Sequence, residues 1–97
     1  MDITDEEIRQ CGYQYFINYG DFFLAVLPMT YGKGRLIYSE NIDYVANAWC
    51  YERYDDALFW LGAWNPKHTK EPGGWIRNPF DGRRRPGGDP NKEYIRR

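Results

Sequence analysis

One uninterrupted apolar run, residues 22–27, constrains the fold of this chain more than any other feature. It consists only of apolar residues: Phe22, Phe23, Leu24, Ala25, Val26 and Leu27. A strand with this sequence is apolar on both faces, so the run predicts a central strand of a sheet. Pro28 lacks a backbone N–H and predicts the end of the strand. The run is too short to span a bilayer, so we expect no membrane association.

Two further strand patterns flank this run. Residues 13–18 precede it and residues 35–38 follow it, and both segments are rich in strand-forming side chains. Turn sequences at residues 19–21 and 31–34 separate the three segments. Because short turns join antiparallel neighbours, the three segments predict an antiparallel meander.

A short helix is predicted at the N-terminus, over residues 5–11. Thr4 followed three residues later by Glu7 matches the capping box. Ile3 and Ile8 stand at the positions of a hydrophobic staple, and Gly12 is typical of a helix end. The acidic start, with no apolar stretch after it, does not match a secretory signal.

Residues 41–64 allow two interpretations. One is a single long helix, and the other is a strand around residues 44–51 followed by a helix from Asp55 or Asp56 to Trp64. We favour the second, because the two aspartates suit a helix start and Pro66 ends a helix. The helix would carry an apolar stripe at helical spacing, made of Ala57, Trp60, Leu61 and Trp64.

The last third of the chain is rich in turns and basic residues. Residues 65–90 contain five prolines and five glycines, but apolar side chains such as Trp75 and Phe80 interrupt them and favour burial. We predict a short strand over residues 75–77 and an edge strand over residues 92–95. Residues 65–97 are therefore interpreted as an ordered, loop-rich basic segment packed on an acidic, aromatic body formed by residues 1–64.

Together these patterns predict one small α+β domain over residues 1–97. It would consist of a mainly antiparallel sheet, a short N-terminal helix, a second helix packed on the sheet and the Pro/Gly-rich basic segment. Aromatic residues make up 19% of the chain and can fill a small core with few side chains. The predicted core comprises Ile8, Phe16, Phe23, Ala25, Leu27, Leu36, Trp49, Leu58, Leu61 and Trp75.

Charge is sorted along the chain. Residues 1–64 hold ten of the fourteen acids and four of the thirteen bases, whereas residues 65–97 hold nine bases and four acids. The overall net charge of −1 argues neither for nor against a nucleic-acid partner. Either the basic segment folds back on the acidic body, or one of the two is offered to a partner.

The basic segment allows two roles. Arg83, Arg84 and Arg85 could pair with acids of residues 1–64 and fasten the segment, since a guanidinium binds carboxylates bidentately. We favour this role. Alternatively, a basic patch with a stacking ring from Trp75 or Phe80 would suit single-stranded nucleic acid. The candidate basic residues of that patch are Lys67, Lys70, Arg77, Arg83, Arg84 and Arg85.

The acids have a functional interpretation as well. Asp55 and Asp56, with other acids of residues 1–64, could form a negative face that occupies a nucleic-acid channel. Helix starts and solvated turns account for most of these positions one by one, so charge mimicry is the less favoured interpretation.

The chain offers few groups for catalysis. His68, the only histidine, lies between two lysines in a polar loop and is interpreted as solvated. Cys11 and Cys50 are interpreted as buried thiols, although a disulfide between them stays open. One histidine and two distant cysteines do not make a zinc site, and no phosphate-binding loop pattern is present. We therefore expect no enzyme activity, no metal and no cofactor.

Three motifs in the last half of the chain resemble a family of small accessory proteins carried by bacteriophages and prophages. The motifs are Trp49-Cys50-Tyr51, Glu71-Pro72-x-Gly74-Trp75-Ile76-Arg77 and Gly82-Arg83-Arg84-Arg85-Pro86-x-Gly88-Asp89-Pro90-x-x-Glu93-Tyr94. The resemblance implies a bacterial host cytoplasm and assigns no catalytic or binding residue. Small phage proteins of this kind are often stoichiometric inhibitors of host defence, among them anti-CRISPR proteins.

Two function classes are therefore expected ahead of an enzyme. The first is a protein that binds a host protein or ribonucleoprotein complex without catalysis, for example as an inhibitor. The second is a small nucleic-acid-binding protein that uses the arginine-rich segment.

Overall fold

The apolar run forms an inner strand of a four-stranded antiparallel sheet. The structure is a computed structural model that describes residues 2–84. The strands are β1 (Tyr15–Asn18), β2 (Phe23–Pro28), β3 (Gly34–Ser39) and β4 (Asn47–Tyr51), and they lie in the order β1-β2-β3-β4. Each strand pairs with its sequence neighbour, so the predicted meander and the α+β class are confirmed.

Both faces of this sheet are apolar. On one face Val26 lies opposite Leu36, which in turn lies opposite Trp49. On the other face the corresponding partners are Ala25, Ile37 and Ala48. All six side chains are buried, because the chain covers the sheet from both sides.

Helix α1 (Asp5–Gln10) covers the face that carries Ala25 and Ile37. The capping box is confirmed: the Glu7 N–H donates to Thr4 Oγ1 at 3.2 Å, and the Thr4 N–H donates to Glu7 Oε1 at 2.9 Å. Ile8 is buried in this face and Ile3 packs against the same cluster. Gly12, with φ of 98°, follows the C-cap Cys11 and ends the helix as predicted.

Helix α2 (Tyr54–Ala63) covers the opposite face, so the interpretation of residues 41–64 as strand then helix is confirmed. Its N-cap is Arg53, which places Asp55 and Asp56 in the first turn rather than at the cap. The helix approaches β3 closely over Gly34, where a Cβ would lie 2.9 Å from the Ala57 Cβ. Any larger residue at position 34 would push α2 off the sheet.

Residues 65–84 complete the core on the α2 side. Trp75 is fully buried in the same cluster as Trp49 and Trp64. Trp60 packs over Gly74, whose φ of 75° suits glycine, and a Cβ there would meet the indole Nε1 at 2.3 Å. The strand predicted over residues 75–77 is reduced to an isolated bridge between Cys50 and Arg77, since glycines precede it and Pro79 follows.

Several predictions of detail were wrong. Strand β4 begins at Asn47 rather than near residue 44, because residues 41–44 turn around the buried Ser39 hydroxyl. Three predicted core residues are only half-buried: Phe16, Leu27 and Leu58. Among the described residues, eight buried hydrophobic side chains were missing from the predicted core: Phe22, Leu24, Val26, Ile37, Ala48, Tyr51, Ala57 and Trp64. The predicted edge strand over residues 92–95 lies outside the described residues.

The cysteines are not bonded to each other. Cys11 is exposed at the end of α1 and Cys50 is half-buried, so the expectation of two buried thiols was wrong. The C-cap position explains the exposure of Cys11, because Cys11 follows the last residue of α1 and lies past Ile8, the buried residue of this helix. Neither helix within residues 2–84 has the length and apolarity needed to cross a membrane.

Replacing the cap residue tests the start of α1. We expect Thr4→Ala to lower the free energy of unfolding by about 1 kcal/mol, because the Glu7 N–H loses its acceptor. Thr30→Ala serves as the control, since Thr30 is exposed and its side chain caps no helix. Denaturant unfolding measures both variants, and an equal effect of the two would contradict the role of the cap.

Candidate functional site

Arg83 is held by two carboxylates of its own segment. Its Nε donates to Asp81 Oδ2 at 2.6 Å, and its terminal nitrogens donate to both oxygens of Glu71. Its guanidinium also lies over the Trp75 ring, 5.4 Å from the ring centroid. The interpretation that the arginines pair with acids of residues 1–64 was therefore wrong for Arg83, because Asp81, in the turn at residues 78–83, and Glu71 accept its hydrogen bonds.

The electrostatics of this cluster favour a closed network. Hydrogen bonds from Arg83 hold the pKa of the Glu71 carboxyl below its usual range, and a weaker bond from Trp49 Nε1 adds to this. The Arg83 backbone N–H is the main cause of the lowered pKa of Asp81. Arg83 is thus engaged within the molecule, and Trp75 beneath it is too buried to stack on a base.

Lys67 and Lys70 lie together at another place, in what we call the lysine groove. This groove of about 330 Å³ is formed where α2 ends, and Trp49 and Trp64 form its floor. The rings of Tyr19, Phe22 and Tyr38 stack in series beside it, with centroid separations of 4.7 and 5.1 Å. The Lys67 ammonium lies 6.0 Å from the Tyr19 ring centroid. The residues that line the groove are Phe22, Tyr38, Ala46, Asn47, Trp49, Trp64, Pro66, Lys67 and Lys70.

Arg77 lines a separate pocket, which we call the arginine pocket. Its volume is about 260 Å³, and its lining residues are Met29, Thr30, Lys33, Gly34, Arg35, Cys50, Ile76 and Arg77. The backbone of Arg84 pairs with that of Arg77 in an isolated antiparallel β-bridge. Arg85 lies outside the described residues. The basic residues predicted to share one patch are therefore distributed among three places.

The acids Asp55 and Asp56 lie at the start of α2, beside an exposed tyrosine. Tyr31 stands between β2 and β3 with 95% of its surface exposed, and its φ of 61° is unusual for a residue with a side chain. We call the depression of about 380 Å³ at this place the tyrosine–acid surface. It is lined by Tyr31, Gly32, Glu52, Arg53, Tyr54 and Asp55.

The tyrosine–acid surface continues along α2. Phe59 lies one turn after Asp55 and is exposed, so the two share the outer face of the helix. Asp56 lies 3.9 Å from Arg53 in a loose pair. Desolvation, followed by the charges of Tyr15 and Asp55, raises the pKa of Tyr54, so this phenol stays protonated near neutral pH.

The groups considered for catalysis are not brought together. His68 is exposed and lines a depression with Trp60 and Trp64, whereas Cys50 lines the arginine pocket. Within residues 2–84 no set of three or more histidine, cysteine or acidic side chains is placed to hold a metal ion. The structure thus places His68 and Cys50 in two different depressions.

Two residues of these surfaces, Tyr31 and Arg35, were not among the predicted site residues. Tyr31 was read only as part of a turn, and a left-handed φ was not evident because Gly32 beside it is the usual residue for one. Arg35 was read as a strand residue, and its alternation with Leu36 was the available signal that it faces away from α2.

No protein-family model, curated protein or solved structure matches this chain.

The Arg83 network generates a stability prediction. We expect Arg83→Gln to lower the free energy of unfolding by about 0.5–1 kcal/mol, because two exposed ion pairs and a cation–π contact are lost. Arg53→Gln is the matched control, since its pair with Asp56 is long and its side chain is 73% exposed. Equal effects of the two substitutions would contradict a fastening role of Arg83.

The same network predicts a pH dependence. A carboxyl with a lowered folded pKa stabilises the fold above its unfolded pKa, and that stabilisation is lost as pH falls through the folded pKa. The ordinary pKa of Glu71 is 4.5. We expect the stability of the wild type to fall more steeply with acid below this pH than that of Arg83→Gln, as measured by urea unfolding. Parallel pH profiles would contradict this.

Proposed function

We propose that this protein acts by occupying a partner protein, without catalysis, and that the tyrosine–acid surface is its contact. The observation that carries this proposal is Tyr31, whose ring is held almost entirely in water on a left-handed backbone. Motifs in the last half of the chain resemble those of phage accessory proteins, so we propose a bacterial host protein or ribonucleoprotein complex as the partner, and the host cytoplasm as the location.

Tyr31 contributes little to folding. A left-handed φ costs a residue with a Cβ about 1–2 kcal/mol, and burial of the ring does not offset this cost in the free protein. Backbone outliers of this kind are concentrated at functional sites. Tyrosine is enriched at protein interfaces because its rigid ring provides contact area at a low cost in conformational entropy.

The charges around Tyr31 indicate the chemistry of the partner. Within residues 2–84 neither Glu52 nor Asp55 makes an ion pair, and both side chains are exposed. Unpaired acids next to exposed rings complement a basic surface with apolar pockets. Complexes that bind nucleic acid carry such surfaces, which supports an inhibitor that blocks a host defence complex in the manner of an anti-CRISPR protein.

Three variants test this proposal. We expect Tyr31→Ala and Asp55→Lys each to weaken binding of the host partner at least tenfold, because one removes an anchor ring and the other reverses the complementary charge. Tyr44→Ala is the matched control, since Tyr44 is an exposed tyrosine outside this surface. The partner is first identified by affinity capture from a bacterial lysate, and calorimetry then measures each dissociation constant.

Occupancy also predicts stoichiometry. Cys50→Ala and His68→Ala should keep the full biological effect, and the effect should titrate one to one with the captured partner. A substoichiometric effect that either variant abolishes would favour an enzyme. Equal capture by the wild type, Tyr31→Ala and Asp55→Lys would exclude the tyrosine–acid surface as the contact.

The lysine groove supports a second candidate, the binding of single-stranded nucleic acid. Lys67 and Lys70 stand beside stacked aromatic rings, a combination that suits phosphates and bases. If this candidate is right, Lys67→Gln with Lys70→Gln should weaken binding of labelled oligonucleotides and flatten the slope of log K against log salt by about 1.4 for two lost contacts. Arg9→Gln with Arg53→Gln removes the same charge elsewhere and should leave binding unchanged. Absence of binding by the wild type at low salt would eliminate this candidate.

A further inference from the structure

Three neighbouring segments place two arginines and a thiol in a row across the sheet. Arg35 on β3 lies opposite Cys50 on β4, and the backbone of Cys50 pairs in turn with that of Arg77 in an isolated β-bridge. Arg35 lies two residues before Ile37 on its strand, and Cys50 lies two residues after Ala48. Because alternate residues share a face, both lie on the face where α1 packs. Helix α1 packs at the other end of this face, near Phe23 and Ala25. The arginine pocket lies at the end that α1 leaves open.

The arginine pocket gathers positive charge without internal compensation. Lys33, Arg35 and Arg77 line it, and no acidic side chain does. Within residues 2–84 none of these three side chains makes an ion pair or a side-chain hydrogen bond, in contrast with Arg83. Like charges held close together repel one another, so an anion that enters the pocket relieves this repulsion.

Arg35 adds a second, independent observation. Its Nε is shielded from solvent and has no hydrogen-bond acceptor among the described residues. A shielded donor without an acceptor is costly, so a ligand that supplies an acceptor oxygen gains affinity. Guanidinium groups match the oxygens of phosphates and carboxylates, and the presence of three cations favours the more highly charged of these anions.

We propose that the arginine pocket binds a small phosphate monoester. Its phosphate would lie among Lys33, Arg35 and Arg77, and the side chains of Met29 and Ile76 would contact the organic group. The volume of about 260 Å³ admits a phosphate with a small organic group. This site is distinct from the tyrosine–acid surface and from the lysine groove.

Cys50 provides a direct reporter, because its half-buried thiol lines the pocket. In a Cys11→Ser background it is the only thiol of the chain. We expect inorganic phosphate and phenyl phosphate to slow its alkylation by iodoacetamide at constant ionic strength, by about tenfold at a ligand concentration ten times the dissociation constant. Phenyl phosphate should protect at lower concentration than inorganic phosphate, and benzoate should protect least.

Variants distinguish a phosphate site from general shielding of the thiol. Arg77→Gln alters an exposed side chain and should raise the concentration of phosphate needed for half-protection at least tenfold. Arg35→Gln should do the same, and Arg35→Lys, which keeps the charge but not the guanidinium, should retain part of the protection. Arg53→Gln, remote from the pocket, is the control for net charge and should leave protection unchanged.

The proposal would be overturned if neither phosphate ligand protected Cys50, or if protection were equal in Arg77→Gln and the wild type. Protection by benzoate as strong as by phenyl phosphate would show that charge does not select the ligand, and would overturn it as well. In Tyr31→Ala the phosphate ligands should protect Cys50 as they do in the wild type. The experiment therefore fails or succeeds independently of the proposed partner protein.

Discussion

The rest of the structure depends on a sheet that is apolar on both faces. Leu24 and Val26 face one way from β2, Phe23 and Ala25 face the other, and all four are buried. If either face were exposed, the fold would lose about 25 cal/mol of hydrophobic stabilisation for each Å² of apolar surface. A chain of 97 residues must therefore cover both faces of the sheet. Helix α1, with 6 residues, covers one face, and α2, with 10 residues, covers the other together with residues 65–84.

The candidate surfaces follow from how unequally the two faces are covered. On its face α1 reaches only part of the sheet, and the uncovered end carries Arg35 and Cys50 and becomes the arginine pocket. On the other face α2 spans the sheet. The tyrosine–acid surface forms where α2 begins and the lysine groove where it ends. Opposite charges are thus separated to opposite ends of one helix.

Residues 65–84 show why a charge-sorted sequence need not fold by attraction between its two parts. Trp75 is fully buried in the core. The Tyr51 hydroxyl stabilises the segment before Trp75 by donating a hydrogen bond to the Gly73 carbonyl at 2.7 Å. Arg83 then pairs with Asp81, in the same turn, and with Glu71, and not with the acids of residues 1–64. Pairing with an acid that is near in the chain costs less conformational entropy than pairing with a distant one, so Arg83 pairs with the nearer acids.

The sequence by itself determined the local elements of this protein. The cap at Thr4, the central strand over residues 22–27 and the apolar stripe from Ala57 depend on periodicity and on neighbours within a few residues, and all three are present. Only the tertiary structure decided which acids hold Arg83, that Tyr31 stands exposed on a left-handed backbone, and that Arg35 and Arg77 meet beside Cys50. These features arise from contacts between strands and loops distant in the chain, and residue spacing carries no information on such contacts.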